Sequence, residues 1–204
     1  MAVSPAKENI LKKIRQALSN PVPLPFPQSE GTSSVFHPAS DSLDVVFAQE
    51  FTNMQGKFAF CINEEEMLHQ LEQLITEKQW SKVYCNTDKW QTKFSNTINL
   101  PGCDASITDC EFLVARTGTI VMSTAQQSGR TVSVYAPIHI CIAYTNQLVY
   151  DIKDALQKLK EKYTGQIPSL ITFATGPSRT ADIEKTLVTG VHGPKEVYCF
   201  LVDV

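Results

Sequence analysis

The chain has 204 residues, of which 43% are hydrophobic, with a formal net charge of -3 and its 18 Lys and Arg residues scattered along it. That length suffices for one substantial core, while the acidic balance leaves no electrostatic footprint for nucleic acid or an anionic membrane surface. No run reaches the roughly 18 apolar residues that span a bilayer, and the first residues lack the apolar core of a signal peptide, so a cytoplasmic location is expected.

Residues 1–20 are expected to form an amphipathic helix, with Ser4 as cap, Pro5 at the first helical position and Ile10, Leu11, Ile14, Ala17 and Leu18 on one stripe. Residues 21–40 read as a linker: Pro21 to Pro27 (PVPLPFP) forces an extended, polyproline-like path, and Gln28 to Ser40 is polar and turn-rich. The tethered helix packs either on its own domain or on a neighbouring subunit, which would make a homo-oligomer.

Residues 41–204 carry the regular patterning. Leu43, Val46, Phe47, Phe51 and Met54 have helical spacing, Phe58 to Ile62 is a short strand, and a second helix opens at Asn63 with Glu64, Glu65 and Glu66 beside the positive end of its dipole. Lys82 to Asn86 predicts a strand, Asp88 to Asn96 a short helix and Pro101-Gly102 a turn. Then follow strand-like runs at Ala105 to Asp109, Phe112 to Ser123, Thr131 to Ala136 and Ile138 to Tyr144, with Thr124 to Arg130 expected to join two antiparallel strands. Asp151 to Tyr163 is amphipathic and helical.

Leu170 to Ala174 reads as a buried strand that stops at Gly176-Pro177. A helix is expected next, capped by Ser178 or Thr180, with Asp182 in its first turn, Ile183, Leu187 and Val188 inward and Gly190 ending it. Val197 to Val204 supplies the last strand, so the unit predicts a parallel, right-handed crossover. The whole pattern predicts a Rossmann-like, three-layer α/β/α sandwich around a mixed, mainly parallel sheet.

The six cysteines, Cys61, Cys85, Cys103, Cys110, Cys141 and Cys199, include no CxxC pair, which argues against a zinc site, a cluster or a disulfide framework and for buried reduced thiols. The Gly176 to Thr180 turn is the strongest ligand candidate. A glycine at a strand end lets backbone approach a ligand, the expected helix offers free N–H groups, and Ser178, Arg179 and Thr180 add donors for a phosphate or carboxylate. Ser178 and Thr180 as simple caps are the alternative. Thr117-Gly118-Thr119 puts two hydroxyls on one face of a strand with Gly118 leaving the other open to a ligand or a packed helix, a β-bulge without function being the alternative, and Arg130 would be the partner cation if its loop folds over that site. His139 in an apolar strand suits a hydrogen-bonded core residue better than a base. His192 lies on a loop, at the opposite end of the expected sheet from the Gly176 turn. No Walker loop, dinucleotide glycine fingerprint, HExxH or GxSxG is present.

Gly102-Cys103-Asp104, Thr117-Gly118-Thr119, the nine-residue block Gly176 to Glu184 and Gly190-Val191-His192-Gly193-Pro194 occur in order, and with the N-terminal helix, proline-rich linker and Pro137-x-His139 they closely resemble LUD-domain proteins of the LutC/YkgG lactate-utilisation family. The resemblance implies a fold similar to the group of ribose-5-phosphate isomerase, glucosamine-6-phosphate deaminase and CoA transferases. It implies a part in bacterial oxidation of L-lactate to pyruvate beside subunits that carry iron–sulfur clusters, with no cofactor in this chain and a small anionic ligand at Gly176, Pro177, Ser178, Arg179 and Thr180. An isomerase- or CoA/acyl-transferase-like enzyme acting alone on a phosphosugar or CoA ester, and an adaptor without chemistry, are the competing readings. Candidate catalytic groups are Glu184, His139 and His192. One position departs from the family: the residue before the Thr-Gly-Thr triplet is commonly acidic, and here it is Arg116, which leaves such a carboxylate's role missing or filled by Glu111, Asp109 or Glu184.

Overall fold

A computed structural model describes residues 5–19, 41–91, 93, 94, 99–183 and 186–204, and the chain divides into two units, Met1–Pro38 and Ala39–Val204. In the first, α1 (Pro5–Leu18) has Glu8 in its first turn and Arg15 in its last, both complementing the dipole, and Ile10, Ile14 and Leu18 are exposed along it. The expected linker, 21–40, lies outside the described residues.

In the second unit the order is α2 (Leu43–Asn53), β1 (Lys57–Cys61), α3 (Glu64–Glu77), β2 (Val83–Cys85), β3 (Ala105–Thr108), β4 (Phe112–Val114), β5 (Thr119–Ser123), α4 (Val132–Tyr135), β6 (Ile138–Tyr144), β7 (Leu148–Val149), α5 (Ile152–Lys162), β8 (Ile171–Ala174), β9 (Arg179–Ile183), β10 (Thr186–Thr189) and β11 (Glu196–Val202). Five strands make a parallel sheet in the order β1-β11-β6-β3-β2. Such a sheet is covered on both faces, which explains the unbroken apolar runs of β6 and β11.

One face packs on α3. Asn63 caps that helix by accepting from Glu66 N at 2.8 Å, and its Met67 and Leu71 meet Ile107, Ile140 and Phe200. The other face packs on α2, through Phe47 and Phe51, and on a second sheet, β7-β4-β5-β8, through Leu113 and Ile120. The outer side of that second sheet is closed by Ala155 and Leu159 of α5 against Val114 and Val121. The α/β architecture with a mainly parallel central sheet is as expected; of the strand-rich middle of the chain, β3 and β6 belong to that sheet, whereas β4 and β5 join β7 and β8 in a second one.

Several local expectations are corrected. Phe112 to Ser123 is two antiparallel strands, β4 and β5, separated by a 3-10 turn at Ala115–Thr117 with Gly118 left-handed at φ +58°. Thr131 to Ala136 contains the helical turn α4 in place of a strand, so the 124–130 loop links β5 to α4 and no hairpin forms there. The largest correction falls on 178–189, where β9 and β10 pair antiparallel and no helix forms. Thr180, Ile183, Thr186, Val188 and Thr189 are all β-branched, and such side chains suit a pleated strand better than a helix. Accordingly β8 pairs antiparallel with β5 and makes no parallel crossover to β11. Gly190, at φ +78°, turns a hairpin strand toward β11 where a helix cap was expected.

Candidate functional site

The β5–β8 pairing sets Ile120 beside Ala174, which brings the Thr-Gly-Thr triplet next to the Gly176 turn. Thr119 Oγ1 shares hydrogen bonds of 2.7 Å with Thr117 Oγ1 and with Thr175 Oγ1. Both glycines here receive α2. A Cβ on Gly118 would lie 2.4 Å from Phe51 N, and one on Gly176, at φ +76°, would lie 2.3 Å from Met54 O. Arg179 Nη2 donates to the same Met54 O at 3.1 Å.

The hairpin then brings the second glycine turn to the first, contrary to the expectation that His192 faces the opposite end. Ser178 N donates to Pro194 O and Gly190 N to Ser178 O, each at 2.9 Å, while Gly193 leaves room for the Ser178 side chain, 3.1 Å from where a Cβ would stand. Beside this junction, at the amino ends of β6 and β11, a cavity of about 490 Å³ is lined by Tyr135, Pro137, Val191, His192 and Lys195 among others. With no helix behind Gly176, the dipole-based cradle expected there is absent; Lys195 and His192 are exposed polar side chains at the cavity. Pro177 is buried in the junction, Thr180 lies on β9, and Glu184 is outside the described residues.

Arg130 is not part of this junction. Its Nη2 donates to Ser169 Oγ at 2.7 Å, at the far end of β8, where Ser123 pairs with Ile171. Arg116, standing where the family commonly has a carboxylate, pairs through Nε with Asp151 Oδ2 at 2.7 Å, and the other oxygen of Asp151 accepts from Lys153 N to cap α5.

His139 is a core residue, 1% exposed, whose Nε2 shares a 2.8 Å hydrogen bond with Thr108 Oγ1. Burial pushes its pKa down to about 4 from 6.5, so the imidazole is neutral in the fold at neutral pH. The unfolded chain binds this proton at a higher pH than the folded one, and stability therefore falls as pH drops from 6.5 to about 4, by about 3 kcal/mol in total. Urea titrations at pH 7 and pH 4 should show His139→Asn losing less stability over this interval than the unmodified protein.

Where β4 begins and β5 ends, Glu111 Oε1 accepts from Ser123 Oγ at 2.5 Å and Tyr163 OH at 2.7 Å, and Oε2 accepts from Lys162 Nζ at 2.7 Å. Burial alone would raise this carboxyl; the Lys162 ammonium and the two hydroxyls outweigh it and hold it below its ordinary value. Asp109 lacks such compensation, and burial pushes its carboxyl up. Sequence reasoning raised Glu111 and Asp109 only as replacements for a missing acid and missed Lys162 and Tyr163, which no local pattern ties to Glu111. All six cysteines are buried and free. Among the described residues, no helix is long and apolar enough to cross a membrane.

A family model described as the LUD domain matches residues 95–202. Lactate utilization protein C of Bacillus subtilis is 35% identical over 137 residues, covering 65% of this chain and 57% of that protein. Lactate utilization protein C of Shouchella clausii is 36% identical over 101 residues, 49% of this chain and 44% of the relative. An uncharacterized protein of Neisseria meningitidis is 33% identical over 110 residues, 54% and 45% of the two chains. The chain spans about half the length of the curated relatives it matches. The crystal structure of a DUF162 family protein from Deinococcus radiodurans superposes with a TM-score of 0.58 at 16% identity, covering 78% of this chain and 96% of the other, which supports the fold.

Proposed function

Because the chain belongs to the LUD-domain family, we propose that it serves lactate utilisation as a subunit without an iron–sulfur cluster of its own, holding a small carboxylate at the junction of its two glycine turns. Oxidation of a 2-hydroxy acid to a 2-oxo acid releases two electrons, which cluster-bearing partner subunits would take up, and two protons, which pass to solvent; the share left to this chain is recognition of the carboxylate. The observation that carries the reading is the docking of the Gly190–Pro194 turn on Ser178. The cavity with His192 and Lys195 thereby lies beside the segment whose residue types suggest an anion-binding turn. The names of the curated relatives support the process.

Titration calorimetry with L-lactate and with pyruvate tests the site. A Lys195→Ala, His192→Ala double variant should fold normally, since both side chains are exposed, and bind at least about tenfold more weakly through loss of charge-assisted bonds. Unchanged affinity would remove the ligand from this junction. A clean chromosomal deletion that still grows normally on lactate would refute the process itself.

A further inference from the structure

The carboxyl ends of β2 and β3, remote from the glycine turns, concentrate buried oxygen atoms that lack partners. Asn86 Oδ1, Thr87 Oγ1 and Asp109 Oδ1 are buried without a hydrogen bond. Thr87 is only 8% exposed, and its polar neighbour is the Cys85 thiol, a weak partner. Cys85 pairs with Ile107 across the two strands, so residues 86–87 and Asp109 leave the sheet side by side, at the edge where open α/β sheets admit ligands. Buried polar atoms are ordinarily satisfied, and several orphans together call for an explanation.

The 124–130 loop covers this edge and is fastened there by Gln127. Its backbone O accepts from Asn86 Nδ2 at 2.6 Å, its Oε1 accepts from Asp88 N at 2.8 Å, and its Nε2 donates to Asp88 Oδ2 at 2.5 Å. Gln126 reaches Asp109 from the same loop and accepts from Ser123 N at 3.0 Å. Asp88 and Asn86 are partly or fully solvent-exposed, so the Gln127 fastening opens at modest cost, whereas with it closed the three oxygens have no partner.

We infer that this edge is a second ligand site, closed by the 124–130 loop, that takes the ammonium group of a small primary amine. An ammonium carries three donors and no acceptor, matching three orphaned oxygens. Its charge is also favoured, because the carboxylates Asp88 and Asp109 stand here, while the Glu111 and Lys162 charges offset one another.

The full chain would be titrated with methylammonium, tetramethylammonium and ethylene glycol, following thermal stability and hydrogen exchange of residues 124–130. Methylammonium should raise Tm and slow exchange in the loop; tetramethylammonium, equally charged but without N–H groups, and uncharged ethylene glycol should do neither. Asp109→Asn should weaken methylammonium binding by about tenfold or more. Gln127→Ala, a change at the exposed loop, should speed loop exchange and weaken binding in a chain that still folds. A response to tetramethylammonium as large as that to methylammonium, no response to either, or an Asp109→Asn variant that binds as before would overturn the site and leave water as the partner of these oxygens. Loss of carboxylate binding at the glycine turns would not alter these outcomes.

Discussion

Gly118→Ala is expected to cost about 3–5 kcal/mol, while Gly129→Ala, at almost the same backbone angle, should cost only about 1 kcal/mol. The two positions separate two effects that usually come together. Gly118 has φ +58° and Gly129 φ +61°, so an L side chain meets a similar conformational penalty of about 1–2 kcal/mol at each. At Gly129 the nearest atom to an added Cβ is Gln127 O at 4.0 Å; at Gly118, Phe51 N stands at 2.4 Å with Glu50 C and Phe51 Cα at 2.6 Å. Those are backbone atoms of α2 and cannot swing aside as a side-chain end could. The helix must shift, and Phe47 and Phe51, both fully buried, lose their fit against Leu113 and Ile120, adding the 1–3 kcal/mol or so typical of overpacking and more if both rings move. Against a total stability on the order of 5–15 kcal/mol, urea denaturation should find Gly118→Ala near the limit of folding and Gly129→Ala close to the unmodified protein. Equal losses in both variants would mean that backbone angle, and not the contact with α2, decides the requirement for glycine.

That contact also explains why the resemblance to the family was legible in the sequence while its physical meaning was not. The glycine of the Gly-Pro-Ser-Arg-Thr segment suggests close approach of a ligand, and that of the Thr-Gly-Thr segment a ligand or a packed helix; both provide close approach, to Met54 O and to Phe51 N of α2 respectively, so the helix alternative holds at Gly118. Helices and central strands followed from local pattern. The Asn63 cap with its acidic first turn and the Met67 and Leu71 stripe marked α3, and the continuous apolar runs marked β6 and β11. The hairpin β9–β10 did not follow, because Ser178, Thr180 and Asp182 ahead of Ile183, Leu187 and Val188 satisfy the capping and spacing rules of a helix. The β-branched content of the same stretch argued for strands, and pairing between β9 and β10 decided it. Once the helix was assumed, His192 was assigned to the wrong end; the hairpin reversal is what returns it to Ser178.

The Glu111 cluster was illegible for a different reason. Glu111 meets Lys162 and Tyr163 across 51 and 52 residues, and no periodicity or spacing relates residues so far apart when one begins a strand and the others end a helix. The sequence shows three ordinary polar residues; only the packing of α5 on β4 and β5 makes a buried carboxylate with a cation out of them.

Lys162→Met should lower stability at neutral pH by about 1–3 kcal/mol, less than the full cost of breaking a buried ion pair because Lys162 is half exposed to screening solvent, and should reverse the sign of part of the pH dependence. The Glu111 side chain is fully buried and that of Lys162 is 55% exposed, so the desolvation burden falls on the carboxylate. With Lys162 present, its carboxyl is held below the ordinary value of 4.5; the unfolded chain protonates first, and the contribution is complete above pH 4.5 and lost as pH falls through the folded value. Without the ammonium, the Ser123 and Tyr163 hydroxyls remain but burial dominates, and the carboxyl rises above the unfolded value. Protonation then favours the folded state, so Lys162→Met should gain stability relative to the unmodified protein as pH is lowered from 7 toward 5, the loss from His139 being common to both. Replacing the buried charge as well, in a Glu111→Gln, Lys162→Met double variant, keeps an acceptor for Ser123 and Tyr163 and should recover all but about 1 kcal/mol of the loss. Urea titrations at the two pH values check both signs. A single variant whose stability falls on acidification as the unmodified protein's does would show that water, rather than Lys162, keeps Glu111 charged.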